Sequence, residues 1–124
     1  MQRSEKAVDL KHHGKNCCQS VLGAFADDSV LSSEILDRLG AGFGAGMGNM
    51  EGTCGALCGA QMVLGLTKFA GKPIIRDAAA LQKGFTEKCG ASLCKEIKGR
   101  ETGVPLCSCD DCVRNAVILL EEFL

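Results

Sequence analysis

Nine cysteines stand in 124 residues, and most of them fall beside residues that start helices. Cys17 and Cys18 follow Asn16, Cys54 follows Thr53, Cys94 lies two residues after Ser92, and Cys109 and Cys112 bracket Asp110 and Asp111. Asn, Thr, Ser and Asp side chains accept the backbone N–H groups that a first helical turn leaves unpaired. A thiol in that turn feels the positive end of the helix dipole, which favours thiolate over thiol. Thiolates attack disulfides and ligate soft metals. The pattern therefore points to dithiol–disulfide exchange, electron transfer or metal binding, and leaves these three open.

The thiols are not equivalent. Cys54 and Cys58, four apart on one helix, share a face but are spaced too widely for an easy disulfide, because bridged β-carbons must come within about 4 Å. They can still be two ligands of one metal. Cys54 follows a capping residue at a helix start and reads as functional, whereas Cys58 reads as a small packing residue. In CSCDDC, Cys109 and Cys112 form C-x-x-C, a spacing that sets a second thiol beside the first or supplies two ligands from one turn. Asp110 and Asp111 between them oppose thiolate formation, and Cys107 reads as an incidental surface thiol. Cys89 completes an apolar stripe and reads as core, while Cys94, after a capping Ser, reads as functional.

The elements that must position these sulfurs are all helical. The pattern predicts helices from Ser4 to His13, from Asn16 onward, and from Glu34 to Leu39 with Ile35, Leu36 and Leu39 buried. A long helix starts near Cys54, another runs from Ile74 to about Lys88 and stops at Gly90, a short one begins at Ser92, and the last starts around Asp110. Cys17, Val21, Ala24 and Phe25 share the predicted inward face of the second helix. The run GAGFGAGMG from Gly40 to Gly48 is predicted as a loop that passes close to something, since five glycines in nine residues disfavour regular structure. On the long helix Gly55 and Gly59, and Ala56 and Ala60, make smooth strips for close helix approach; a homodimer through this glycine face is one alternative use. No segment alternates like a strand, so the fold class is all-α, a single compact domain (1–124) of about six helices around a Gly/Ala/Cys-rich central helix.

Bulk composition excludes several classes. The net charge of −1 is built from scattered basic residues without interleaved aromatics, so phosphate neutralisation of nucleic acid has no basis. The uncharged run from Gly52 to Thr67 is shorter than the roughly 20 apolar residues of a membrane span and is broken by Thr53 and Gln61. The charged N-terminal segment MQRSEKAVDLKHH lacks an apolar signal core, so a cytoplasmic protein without membrane insertion is expected. In a reducing compartment a cysteine-rich chain is more often catalytic or metal-binding than disulfide-stapled. The glycine run follows a helix rather than a strand, which removes a dinucleotide-binding reading, and no phosphate-binding P-loop occurs.

The segments KAVDL, NCCQSVLGAF, GFGAGMGNMEGTCGA, MVLGL and CxxCVxxAVxLLEE together resemble the C-GCAxxG-C-C family, small bacterial and archaeal proteins named redox-active for their cysteines. By position the resemblance assigns the family's four defining cysteines to Cys17, Cys54, Cys94 and Cys109, with Cys112 a common companion; Cys18, Cys58, Cys89 and Cys107 are departures. Three functions stay open. In the first, two of Cys17, Cys54, Cys94, Cys109 and Cys112 cycle between dithiol and disulfide with a redox partner protein, Cys54 being the expected nucleophile and Cys17 its neighbour. In the second, Cys17, Cys54, Cys94 and Cys109 hold a [2Fe–2S] cluster or zinc, with Cys58 and Cys112 as alternative ligands. In the third, a non-enzymatic partner of a membrane transporter captures soft ions.

Overall fold

Local caps decide where the helices begin. The computed structural model describes residues 1–124. The helices are α1 (Arg3–His12), α2 (Cys17–Ala24), α3 (Ser33–Gly40), α4 (Gly44–Met47), α5 (Gly55–Lys68), α6 (Ile75–Cys89), α7 (Cys94–Ile97) and α8 (Cys109–Glu121), with 3-10 turns at Ala26–Asp28 and Ala41–Phe43. The only extended pairing is an isolated antiparallel bridge between Thr53 and Leu93. The all-α class follows, and no helix is long and apolar enough to cross a membrane.

Asn16 starts α2 with a full capping box: its side chain accepts from the Gln19 N–H at 2.8 Å, and the Gln19 side chain accepts from the Asn16 N–H at 3.0 Å. The Asn16 amide also donates to the Gly40 carbonyl at 3.1 Å, tying the start of α2 to the end of α3. Ser32 caps α3 and Ser108 caps α8. Gly90 ends α6 in the left-handed conformation that glycine takes without penalty.

The α5 helix is the centre. It packs on α2, α6 and α8, while α1 lies along α2 and α8. Leu57, Ala60 and Leu64 of α5 meet Val21 and Leu22 of α2 and Val113, Val117 and Leu120 of α8 in one continuous core. Each fully buried Leu or Phe there is worth roughly 1.5–3 kcal/mol of transfer free energy. The glycine strip does what its spacing suggests: a Cβ on Gly59 would stand 2.9 Å from the Cys18 carbonyl oxygen, and one on Gly55 would stand 2.7 Å from that of Phe43. This face is therefore covered by α2 and is not free to receive a second copy of the chain.

Gly59→Ala should destabilise the protein, although alanine is the better helix former by about 1 kcal/mol. The added methyl meets backbone, which cannot rotate away, and overpacking of this kind costs about 1–3 kcal/mol. Urea unfolding measures the difference; an unchanged or raised midpoint would show that α2 and α5 sit further apart than described.

Two expected burial patterns are corrected. On α2 Val21 and Ala24, and Phe25 at its end, are buried as expected, but Cys18 and Leu22 are fully buried with them while Cys17 sits half-buried at the rim. The wider arc follows from packing on two sides, against α5 and α1. On α3 only Leu36 and the terminal Gly40 are buried, while Ile35 and Leu39 are 46% and 49% exposed, because α3 is a peripheral helix that turns one narrow edge inward.

Candidate functional site

The N-termini of α2 and α8 meet. Each helix is capped by a polar residue, Asn16 or Ser108, and each has a cysteine as its first helical residue, Cys17 or Cys109. Both thiols are half-buried. Cys17 donates to the Cys109 sulfur, Lys98 at the end of α7 donates to it as well, and Lys11 at the end of α1 adds positive charge. The Cys17 hydrogen bond foremost, helped by the two lysines, outweighs burial and brings Cys109 down to about 5. Cys17 is driven far up, because it holds the proton that the pair shares, and because burial and the Cys109 charge oppose its ionisation. Burial works against the charge on Lys11 and Lys98, yet both are held above the ordinary lysine value: Asp110 and the two thiols act on Lys11, and Cys109 chiefly acts on Lys98.

The acidic pair inside C-x-x-C does not oppose this thiolate in the way the sequence suggests. Asp110 is bonded by His12 at 2.7 Å and Lys11 at 3.1 Å, and Asp111 is paired with Arg114. The basic end of α1 thus neutralises the acidic start of α8. His12 above all, then Lys11, holds Asp110 below the usual carboxylate range.

Cys54 is placed differently. It is the cap residue of α5 rather than a first-turn residue, and Thr53, expected as the cap, is used in the bridge to Leu93. The Cys54 N–H donates to the Ser92 carbonyl at 2.8 Å and the Cys94 N–H donates to that of Gly52 at 3.0 Å, so the bridge sets Cys54 and Cys94 side by side. The glycine-rich segment closes over them. Gly46 takes φ +57°, and a Cβ there would stand 2.5 Å from that of Cys94, which is the close backbone approach expected of this run. Ser92 does not cap α7; Leu93 occupies the cap position and makes no side-chain bond.

The Cys54 thiol accepts from Cys112, and this bond, with the N–H groups of Ala56 and Leu57, holds it below the ordinary thiol value despite burial. Cys54 is only 6% exposed. The expected nucleophile is thus shut away from a protein disulfide, and its sulfur partner is Cys112 rather than Cys17. Cys94 is buried and pushed up, by burial first and then by the Cys54 and Cys109 charges, with Lys98 opposing.

The two thiols of C-x-x-C engage different neighbours. Cys109 faces Cys17 at the rim, while Cys112 points inward to Cys54 and Cys89 and is driven far up because its one proton is shared against these two sulfurs and burial opposes its charge. Cys58 donates weakly to the Thr53 carbonyl at 3.9 Å and is raised by burial, and burial lifts Cys18 to about 12.

Cys17, Cys54, Cys94 and Cys109, expected to converge on one metal, do not form a set with every sulfur within 4.8 Å of every other; the set that does is Cys89, Cys107 and Cys112. Cys89 is the last residue of α6 and Cys107 belongs to the loop before α8. Sequence reasoning placed Cys89 in the core and Cys107 on the surface. Cys89 is indeed buried, but Cys107 is half-buried against it. The available signal was the Gly90 stop, which ends α6 at a thiol; that this end lies beside the start of α8 is a long-range contact that no local pattern carries.

No curated protein and no solved structure matches the chain. The sequence profile described as "Putative redox-active protein (C_GCAxxG_C_C)" matches residues 15–123. That match runs from just before Asn16 almost to the end of the chain and takes in all nine cysteines. The paired helix starts, the glycine-rich segment over Cys94 and the acidic C-x-x-C turn are therefore features of a chain that belongs to the C-GCAxxG-C-C redox-active family.

Proposed function

We propose that the protein is a thiol oxidoreductase or electron carrier in which Cys109 and Cys17 cycle between dithiol and disulfide. The observation that carries this reading is the meeting of two first-turn thiols from different helices, half-buried, with Lys98 and Lys11 beside them. The Cys109 thiolate attacks one sulfur of a partner's disulfide; that S–S bond breaks and the mixed disulfide forms. Cys17 then attacks Cys109, the Cys17 proton leaves with the departing partner thiols, and the products are a Cys17–Cys109 disulfide and a reduced partner. Two electrons pass from the pair to the partner, and the reverse sequence returns them.

The shared proton supports the order of events. Cys17 holds its proton chiefly because an anionic Cys109 lies against it. Once Cys109 is consumed in the mixed disulfide, that restraint is gone, and Lys11 then favours the Cys17 thiolate against burial and the Cys54 charge. This cycle requires a compartment that can return the pair to the dithiol, which is why we place the protein in the cytoplasm with a redox partner protein. Four-thiolate binding of an iron–sulfur cluster or zinc by Cys17, Cys54, Cys94 and Cys109 has less support, since these sulfurs are distributed over separate contacts.

Mild oxidation of the reduced protein by glutathione disulfide tests the reading. The expected mass loss is about two hydrogens, mapped by peptide mass spectrometry to a Cys17–Cys109 bridge. A first disulfide between Cys54 and Cys112, or between Cys109 and Cys112, would overturn it.

A further inference from the structure

A second group of sulfurs lies apart from the Cys17–Cys109 pair. Cys89 ends α6, Cys107 is in the loop before α8, and Cys112 closes the first turn of α8; their Sγ atoms all lie within 4.8 Å of one another. A metal bound by thiolates at about 2.3 Å holds three sulfurs roughly 4 Å apart, so these side chains need little adjustment to share one ion. Cys89 and Cys112 are each 1% exposed, and Cys107 covers them from the loop.

The surroundings suit a cation better than a reactive thiolate. The largest effects on Cys89 and Cys107 include no lysine or arginine; the charged side chain besides the cysteines is the Asp111 carboxylate, and the Cys89 charge opposes that of Cys107. Thiols this close and this buried cannot lose their protons together unless another positive charge replaces those protons. The Asn115 amide donates to the Cys89 sulfur at 3.6 Å, which orients that sulfur as an outer-sphere partner does. No His nitrogen or carboxylate oxygen joins the set. An all-sulfur donor set selects soft ions, and one without a fourth protein ligand falls short of the closed tetrahedron of structural zinc.

We propose that Cys89, Cys107 and Cys112 form a three-thiolate site for a soft d10 cation. Copper(I) accepts three sulfur donors as they stand; zinc would complete its shell with water. Binding displaces thiol protons and changes no oxidation state.

The test is an anaerobic titration of the full-length reduced protein, with copper(I) in one arm and zinc(II) in the other, each against a competing chelator so that only the tightest site is read. One ion per chain is expected, with sulfur-to-metal charge-transfer absorbance in the copper arm. Cys107→Ser should weaken binding by more than the roughly 10- to 100-fold cost of losing an outer-sphere partner, and Cys89→Ser should do the same. Cys17→Ser should leave binding unchanged. Because Cys107 lies in a loop and is half-buried, its variant should keep the far-ultraviolet helical signal of the parent and still form the Cys17–Cys109 bridge, so this site and the redox pair can fail separately. An affinity that Cys107→Ser does not move, a loss in Cys17→Ser, or no tight binding in either arm would overturn the proposal.

Discussion

At pH 6, iodoacetamide should modify Cys109 of the reduced protein before any other thiol. With a pKa brought to about 5, roughly nine in ten Cys109 sulfurs are thiolate at that pH, against well under 1% for an ordinary cysteine near 8.5. A thiolate of low pKa is intrinsically the weaker nucleophile, and this returns part of the gain, leaving a rate advantage on the order of tenfold. Cys89 is also held low, at about 6, by its bonds from Cys112, Asn115 and Cys107 against burial, but it is 1% exposed and out of the reagent's reach. The rate at Cys109 should rise with pH through a midpoint near 5. Lys98→Met removes a positive charge that favours the thiolate, so the midpoint should move upward and the rate at pH 6 should fall. Peptide mapping after timed quenching measures both. First labelling at Cys54, or a midpoint indifferent to Lys98→Met, would sink the assignment of Cys109 as nucleophile.

Cys17→Ser should convert a fleeting intermediate into a stable one. In the parent, the mixed disulfide between Cys109 and a partner is resolved by a sulfur already touching Cys109. A serine hydroxyl cannot displace a thiol from a disulfide, so the variant incubated with glutathione disulfide should accumulate a protein–glutathione adduct at Cys109 as the main species. The parent should show almost none. The serine hydroxyl keeps an O–H donor beside the Cys109 sulfur, so the Cys109 midpoint should stay below the ordinary thiol range and the adduct should still form at pH 6. Intact-mass measurement separates the cases. Rapid loss of the adduct, with a Cys109–Cys112 bridge in its place, would make Cys112 the resolving thiol.

The sequence determined whatever depends on neighbours a few residues apart. Asn16 and Gln19 carry the start of α2, Ser108 that of α8, Gly90 the end of α6, and the Gly55–Gly59 spacing the tight contact with α2. These are turn-by-turn hydrogen bonds and missing side chains, and a linear pattern contains them. The placement of Cys17 and Cys109 at helix starts was legible for the same reason. Which sulfur would face which was not. Cys18 rather than Cys17 lies in the core, because the packing of α2 on α1 and α5 together widens its inward arc. The charge on CDDC changed meaning once Lys11 and His12 arrived from the other end of the chain to bond Asp110. Cys89 and Cys107 joined Cys112 only because α6 ends beside the start of α8. Thiol reactivity depends on charges and hydrogen bonds within a few ångströms, and here those come from remote segments, so tertiary packing alone decided how nine similar side chains divide their roles.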